Sequence, residues 1–345
     1  MSNATRWYTS REAAKAAAGL SGSGIDAVID TQIEAASETA EQVLNRTFIP
    51  VTETRYYDWP QKAGRSAILY EPREDILALT ALTAGGTAIA LGSIFLEPVN
   101  EPPYRQIEID LSTSAAFQAG DTTQQSVVAT GRFGYSEATK AAGTVASGLA
   151  SDAAAATFVC SNAALIDVGD TLLIETEALF VSGRAFVSSG TTVNDATVTE
   201  SLSDVTITLA SGAAVNVGEV LLLDSEKVRV EAISGNDVTV ERGVDGSVLA
   251  AHSTGITVYV ARTLTVVRGA NGTTAAVHAD STAIVKYAPA ALLAKWVRAM
   301  AILAVKEGAS GYTGQISGDS AVNINANEIE RLRMQCIEAF GVVSL

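Results

Sequence analysis

The chain contains 345 residues, with 23 Lys plus Arg against 38 Asp plus Glu and a formal net charge of −15. Groove and phosphate-backbone binding need clustered basic residues, so this balance argues against a nucleic-acid-binding protein. It does not exclude a protein that surrounds DNA without gripping it. With 48% apolar and only 18% charged residues, the chain can build a packed core, and we expect no long disordered stretches.

The chain is expected to fold in a reducing compartment, the cytosol, and not to cross a membrane. Cys160 and Cys336 lie far apart and match neither a disulfide framework nor a zinc-ligand spacing, so we expect buried free thiols. The N-terminal residues lack the apolar centre of a signal peptide. The most apolar long stretch, 289–305, is interrupted by Lys295 and Arg298, which predicts a core helix rather than a membrane span.

Helices are predicted at both ends of the chain from apolar residues at three- and four-residue spacing. They cover about 9–18, 25–46, 290–307 and 327–340. The first is expected to be capped by Thr9 or Ser10, with Glu12 completing a capping box with Thr9, and the third is expected to end at Gly308. Residues 51–134 alternate over short runs broken by Gly and Pro, which is typical of strands and turns. The run 141–156 lacks periodicity and is interpreted as a linker, and an all-β region follows it.

An internal repeat in the all-β region is the most specific signal in the chain. Residues 157–181 match residues 206–230 at a constant offset of 49, and residues 238–252 match residues 264–278 at a constant offset of 26. Within the repeat, Asp245-Gly246 and its counterpart Asn271-Gly272 are dipeptides typical of tight turns.

The change of offset indicates that one copy of the repeat is inserted into the other. Loop tips tolerate such insertions because closing a longer loop costs little. A tandem repeat that has lost one half is the alternative. The predicted domains are a core formed by 1–150 with 288–345, a β module formed by 151–199 with 263–287, and a second β module nested in it at 200–262.

His252 and His278 occupy equivalent places in the two copies. A catalytic histidine needs a unique set of partners, and no Ser–His–Asp arrangement surrounds either residue. We therefore predict a packing or hydrogen-bonding role for both. Arg242 and Arg268 are also repeated, and each is expected to bind a carboxylate or a carbonyl within its own module.

Two carboxylate pairs, Glu175 with Glu177 and Asp224 with Glu226, alternate along predicted strands, so each pair should project to one face. A divalent cation needs more converging oxygen ligands than these spacings guarantee. A solvated strand face is the favoured interpretation.

Motifs that would indicate catalysis are not found. The glycines of 19–24 follow a helix and are not followed by Gly-Lys-Ser/Thr, which argues against a nucleotide site. We see no nucleophile elbow and no kinase motif. The sequence therefore predicts neither an enzyme nor a cofactor or metal site.

Several phrases in the chain, taken in order, resemble the head–tail adaptor (head completion or connector) proteins of long-tailed phages. They are an entry helix YTSREAAK at 8–15, NRTFIP at 45–50, YYD at 56–58, EPVNEPPYRQIEID at 97–110 and VVATGRFGYSEATKAAGT at 127–144. The phrases GDTLLIETEALFV, LTVVRGANGTTAAVHA and YAP are similar to β segments of adaptor-like proteins from phages of actinobacteria. The resemblance covers most of the chain, which is longer than a minimal adaptor mainly because of its second β module.

This resemblance implies an α+β fold, with a helical adaptor core, short β-hairpins and inserted all-β domains, sandwich- or barrel-like, between the N- and C-terminal helices. It also implies a virion protein that forms a ring, expected to be twelvefold, beneath the portal protein. The ring would join the portal to a tail-side connector, either a stopper or a tail terminator. DNA would pass through without sequence-specific contact, so the channel side should be neutral or acidic.

The single, scattered tryptophans are expected to be core or interface anchors rather than a platform for stacking bases. The interface candidates are Trp7, Trp59, Trp296, Tyr312, Ile316 and Phe340. Segment 311–325 and the C-terminus are expected to become ordered on contact with a neighbouring ring. Two alternatives stay open: a tail-tube or capsid-decorating subunit, and a protein whose β modules bind glycans or a host surface. The second alternative requires an exposed aromatic cluster within 151–287.

Overall fold

The computed structural model of the chain describes residues 6–60, 67–70, 75–309 and 326–341. Strands make up 36% and helices 23% of it, and the described residues form a ten-stranded sheet and three smaller ones. The predicted α+β fold with a helical adaptor core is therefore wrong. The reason is that the alternating Ala, Val and Thr residues between the helices pair into sheets more extensive than the helices.

Helices from the two ends of the chain pack into one body, which we call the helical cluster. They are α1 (Arg11–Ala18), α2 (Asp26–Leu44), α3 (Ala291–Ala309) and α4 (Ala326–Phe340). Ile29 and Ile33 of α2 are fully buried, as are Leu293 and Trp296 of α3. Since burying an Ile or Leu side chain is worth about 1.5–3 kcal/mol, these apolar faces hold the cluster together.

Two predicted helix ends differ in the structure. Of the two predicted caps of α1, Ser10 is confirmed, because its hydroxyl accepts a hydrogen bond from a main-chain N–H of the first turn. Glu12 instead accepts a hydrogen bond from the N–H of Val168, so the predicted capping box of Thr9 and Glu12 is wrong. α3 continues one residue past Gly308, which therefore does not end the helix.

Two small antiparallel sheets follow the first two helices and share one apolar core. Their strands are β1 (Val51–Tyr57), β2 (Ile68–Tyr70), β3 (Ile76–Ala84), β4 (Thr87–Ala88), β5 (Ile94–Glu97), β6 (Gln106–Ile109) and β7 (Val127–Phe133). The strand orders are β1-β7-β3-β4 and β2-β6-β5. Phe133, Ile107 and Leu82 are buried between them.

The ten-stranded sheet forms two barrels that share two long strands. The strands of this region are β8 (Thr139–Ser147), β9 (Thr157–Cys160), β10 (Thr171–Ile174), β11 (Glu177–Thr192), β12 (Thr197–Val198), β13 (Thr206–Thr208), β14 (Val220–Leu223), β15 (Glu226–Ser234), β16 (Asp237–Glu241), β17 (His252–Ser253), β18 (Thr257–Val267) and β19 (Ala283–Tyr287). The shared strands are β11 and β18, which form an antiparallel ribbon. β12 and β17 pair with each other in a separate small sheet.

The outer barrel contains the first half of β11 and the second half of β18. Its strand order is β11-β10-β19-β8-β9-β18, and pairing of β18 with β11 closes the circle. β8 covers the first half of the run 141–156 that is predicted to be a linker, so the prediction is wrong for 141–147. The pairing of β8 with both β19 and β9 explains the difference, because these partners are distant in the sequence.

The inner barrel contains the second half of β11 and the first half of β18. Its strand order continues as β18-β14-β15-β16-β13, and a bridge between Val193 and Leu209 closes it back to the segment after β11. Its register repeats that of the outer barrel: Leu172 pairs with Lys286 in the outer barrel, and their counterparts Leu221 and Val260 pair in the inner barrel. The inner barrel thus lies between two strands of the outer one.

One face of the outer barrel is packed against the helical cluster. Val168 and Phe180 are buried there, and the rings of Phe180 and Trp7 pack edge to face with their centroids 5.3 Å apart. The main-chain N–H of Arg11 donates to the carbonyl of Val168 at 2.9 Å. Gly169 has a positive φ of 98°, and a Cβ at this position would lie 2.3 Å from the Trp7 ring. This close approach fixes the outer barrel on the N-terminal helices.

Candidate functional site

Each barrel contains a buried cluster of Arg, Glu and His at equivalent positions. In the outer barrel, Arg268 donates two hydrogen bonds to the carboxylate of Glu177, at 2.7 and 2.8 Å. Nε2 of His278 lies 2.8 Å from the same carboxylate. Glu177 is fully buried, so its charge is balanced by the guanidinium rather than by water.

The inner barrel repeats this arrangement. Arg242 donates to both oxygens of Glu226, at 2.7 and 2.8 Å, and Nε2 of His252 lies 2.9 Å from Glu226. All three side chains are fully buried. The predicted packing and hydrogen-bonding role of the two histidines, and the predicted binding of a carboxylate by each arginine, are confirmed.

The carboxylate pairs do not form solvated strand faces, so that interpretation is wrong. Glu175 and Asp224 lie in the two-residue turns that precede β11 and β15, with φ of 55° and 51°. Each reaches Nδ1 of the histidine in its barrel, at 2.8 and 3.3 Å. The second residues of the pairs, Glu177 and Glu226, are buried, and the arginine and histidine of the same barrel contact them there.

Hydrogen bonding keeps both buried glutamates ionised. Burial would raise the pKa of Glu177, but hydrogen bonds from Arg268, from main-chain N–H groups and from His278 lower it to about 2. The pKa of Glu226 is about 2 for the same reasons, with Arg242 opposing the effect of burial. A general acid or base works best with a pKa near the operating pH, so these carboxylates are suited to holding structure rather than to transferring protons.

The remaining N–H groups of each arginine donate hydrogen bonds to main-chain carbonyls of loops. Arg242 donates to the carbonyls of Thr199, Asp204 and Ala250, and Arg268 donates to that of Ala155. Each cluster therefore joins its buried glutamate to main-chain carbonyls of neighbouring loops.

Metal-ligating residues are not assembled in the described part of the chain, where no group of three or more His, Cys, Asp or Glu is placed to hold an ion. Cys160 and Cys336 are free and buried, as predicted, and burial raises the pKa of each thiol to about 11.

The interface candidates lie in different parts of the molecule. Trp7 and Trp296 are buried in the helical cluster, and Phe340 packs against it. Trp59 is half-buried beside the N-terminal sheets, where its indole N–H donates to the carbonyl of Phe117 at 2.7 Å. The two other candidates, Tyr312 and Ile316, lie outside the described residues.

An aromatic cluster in the helical cluster brings together residues from distant segments of the chain. Phe48 contacts the rings of Tyr8, Tyr135 and Phe340 at centroid distances of 5.6, 5.3 and 5.6 Å. Arg46 donates to the carbonyl of Phe340 at 2.9 Å and lies 5.0 Å from the centre of the Tyr135 ring. These residues belong to separate phrases of the sequence, and no spacing in the sequence indicated that they meet.

The glycan-binding alternative required exposed aromatic residues on the barrels. Phe158, Phe180 and Tyr287 are buried, Phe186 is half-buried, and Tyr259 is exposed at 41%. A single exposed ring does not make the stacking surface that this alternative needs.

None of the helices in the described ranges is long and apolar enough to cross a membrane. Comparison with known proteins gives no assignment, because no family model, curated protein or solved structure matches the chain.

Proposed function

We propose that the chain is a structural protein of a phage virion that joins head to tail. In this proposal, copies of the chain form a closed ring beneath the portal protein and bind a tail-side connector on the other side. The chain acts by assembly, and DNA passes through the ring without sequence-specific contact. Neighbouring subunits make heterologous contacts, because the rotation that closes a ring places one surface of each subunit against a different surface of the next.

The observation that carries the proposal is the aromatic cluster around Phe48. Tyr8 comes from the entry-helix phrase, Arg46 and Phe48 from NRTFIP, and Tyr135 from the GRFGY phrase, all of which carry the resemblance to head–tail adaptors. Their side chains pack together with Phe340 at the end of α4. Residues from three separate phrases of the resemblance thus pack together in the helical cluster, against which the outer barrel is packed.

The charge of the chain is compatible with a channel wall. A net charge of −15 repels the DNA phosphates, and a conduit has to let DNA slide rather than bind it. Solubility alone accounts equally well for such a charge, so the aromatic cluster remains the stronger support.

The proposal is tested by the mass of the purified chain in solution, alone and mixed with the portal ring of the same virus. We expect a defined number of copies to bind each portal ring, and the same portal treated with an unrelated acidic protein of similar size to stay unchanged. A chain that remains monomeric beside the portal, and binds cells or glycans through residues 151–287, would contradict the proposal.

A further inference from the structure

The inner barrel is inserted into the chain of the outer barrel at one hairpin. In the outer barrel, Ala185 of β11 pairs with Thr263 of β18, and residues 186–262 lie between them. In the inner barrel, the equivalent pair is Ser234 and Asp237, joined by a turn of only two residues. The same hairpin therefore ends in a tight turn in one copy and carries a whole barrel in the other.

A buried main-chain N–H beside this hairpin is satisfied in two different ways. A 3₁₀ turn begins at Ala163 in the outer barrel and at Gly212 in the inner barrel. The N–H of Ala163 donates to Oε1 of Glu219, which belongs to the inner barrel, at 2.8 Å. The N–H of Gly212 donates to Oδ1 of Asn236, which belongs to the inner barrel's own tight turn, at 3.0 Å. Asn236 thus provides the acceptor in the inner barrel that Glu219 provides in the outer barrel, the copy that carries the insertion.

Glu219 is held in position for this contact. Its side chain is fully buried, and Arg262 donates to its two oxygens, both at 2.7 Å. The N–H of Asn216 adds a further hydrogen bond at 2.8 Å. A buried N–H that loses its acceptor is costly, so an inserted barrel without such an acceptor would weaken the outer barrel.

We propose that residues 186–262 form an accessory unit inserted into the outer barrel. The unit is fixed at one point, which we call the socket: the buried main-chain N–H of Ala163, which needs an acceptor. An oxygen acceptor fills the socket, either a carboxylate from an inserted unit or an amide from a tight turn. The apolar cores agree with this division. The buried residues of the outer barrel, such as Leu172 and Leu264, form a cluster that contains no residue of 186–262 among those described.

The direct experiment joins Ala185 to Thr263 through Gly-Asn, in place of residues 186–262. Ala163→Gly is included, because a Cβ at the equivalent Gly212 would lie 2.1 Å from the carbonyl oxygen of Gly235 in the tight turn. We expect the shortened chain to melt cooperatively and to keep the tryptophan fluorescence of the full chain, since Trp7, Trp59 and Trp296 are all retained.

Two matched controls isolate the socket. A shortened chain that keeps Ala163 should melt at a lower temperature because of the steric clash, and a shortened chain with Gly-Ala as its turn should melt lower because the N–H has no acceptor. If the Gly-Asn chain does not fold, or if the Gly-Ala chain melts at the same temperature, the proposal is overturned.

Hydrogen exchange in the full-length chain gives an independent test. Glu219→Ala should speed exchange at the amide of Ala163 by about tenfold or more, as expected for loss of a buried acceptor, and Asn236→Ala should do the same at Gly212. Glu231→Ala, at an exposed carboxylate of the inner barrel, should change neither amide. Unchanged exchange at Ala163 in the Glu219 variant would refute the socket.

Discussion

In the outer barrel, the face that carries Val168 and Phe180 is buried against the helical cluster. The equivalent positions of the inner barrel are Val217, which is 55% exposed, and Arg229, whose side chain is 47% exposed. Both barrels nevertheless keep the same strand order and the same buried Arg–Glu–His cluster. The duplicated interior therefore defines the fold, while each surface has diverged according to what it touches.

The largest effects are expected from breaking the buried ion pairs. Arg268→Ala in the outer barrel and Arg242→Ala in the inner barrel each leave a buried glutamate without its partner, which costs about 3–5 kcal/mol. The tryptophans lie outside the inner barrel. Urea unfolding followed by tryptophan fluorescence should therefore shift strongly for Arg268→Ala and little for Arg242→Ala, whereas far-ultraviolet circular dichroism should detect both losses. Equal fluorescence shifts would mean that the two barrels unfold as one unit.

The second prediction addresses the two equivalent faces. Phe180→Ala removes a buried ring from the contact with the helical cluster and should cost about 3–5 kcal/mol. Arg229→Ala, at the equivalent position, lies on the surface beside Glu241 and should change stability by no more than about 0.5 kcal/mol. Calorimetric melting of both variants checks the difference. Similar losses would show that the inner face is also buried against a partner.

The third prediction concerns the pH dependence of the contact between α1 and the outer barrel. Burial, followed by the charge of Asp167, raises the pKa of Glu12 to about 7, and Arg184 opposes this rise. A carboxyl group whose pKa is raised by folding stabilises the fold fully below about pH 4.5, and this contribution is lost as the pH rises through about 7. The melting temperature should therefore fall between about pH 5 and pH 8, and it should fall less in Glu12→Gln. An identical pH profile for the variant would contradict this assignment.

The smallest effect is expected at the contact between the inner barrel and the N-terminal helices. Lys15 bridges Asp26 and Asp245, at 2.9 and 3.2 Å. Asp245→Asn gives the inner turn the residue that the outer turn has at Asn271. Because the ion pairs of Asp245 with Lys15 and with Lys227 are partly exposed, the change should cost less than about 1 kcal/mol and vanish at high salt. A larger loss that persists in salt would make this contact a main support of the inner barrel.

Part of the fold could be predicted from the sequence because its causes are local or repeated. The spacing of apolar residues located the helices to within two residues. The dipeptides Asp245-Gly246 and Asn271-Gly272 have positive φ at every residue, as their types indicate. The repeat also identified the equivalent arginines and histidines, whose counterparts occupy matching places in the two barrels.

The rest depends on partners that are distant along the chain. Residues 141–147 of β8 fall in the predicted linker because their sequence does not alternate, and pairing with β19 and β9 is what makes them a strand. The burial of Glu177 depends on Arg268, 91 residues away. The socket at Ala163 was missed for the same reason, although Asn236 in the shorter copy offered a signal once the two hairpins were compared.

We propose that the helical cluster, the N-terminal sheets and the outer barrel assemble at the head–tail junction, with the inner barrel as an accessory. The most direct test is native mass measurement of the portal ring mixed with the shortened chain that carries Gly-Asn and Ala163→Gly, beside the full chain. We predict the same number of bound copies for both chains. A shortened chain that is folded by fluorescence but no longer binds the portal would contradict the claim.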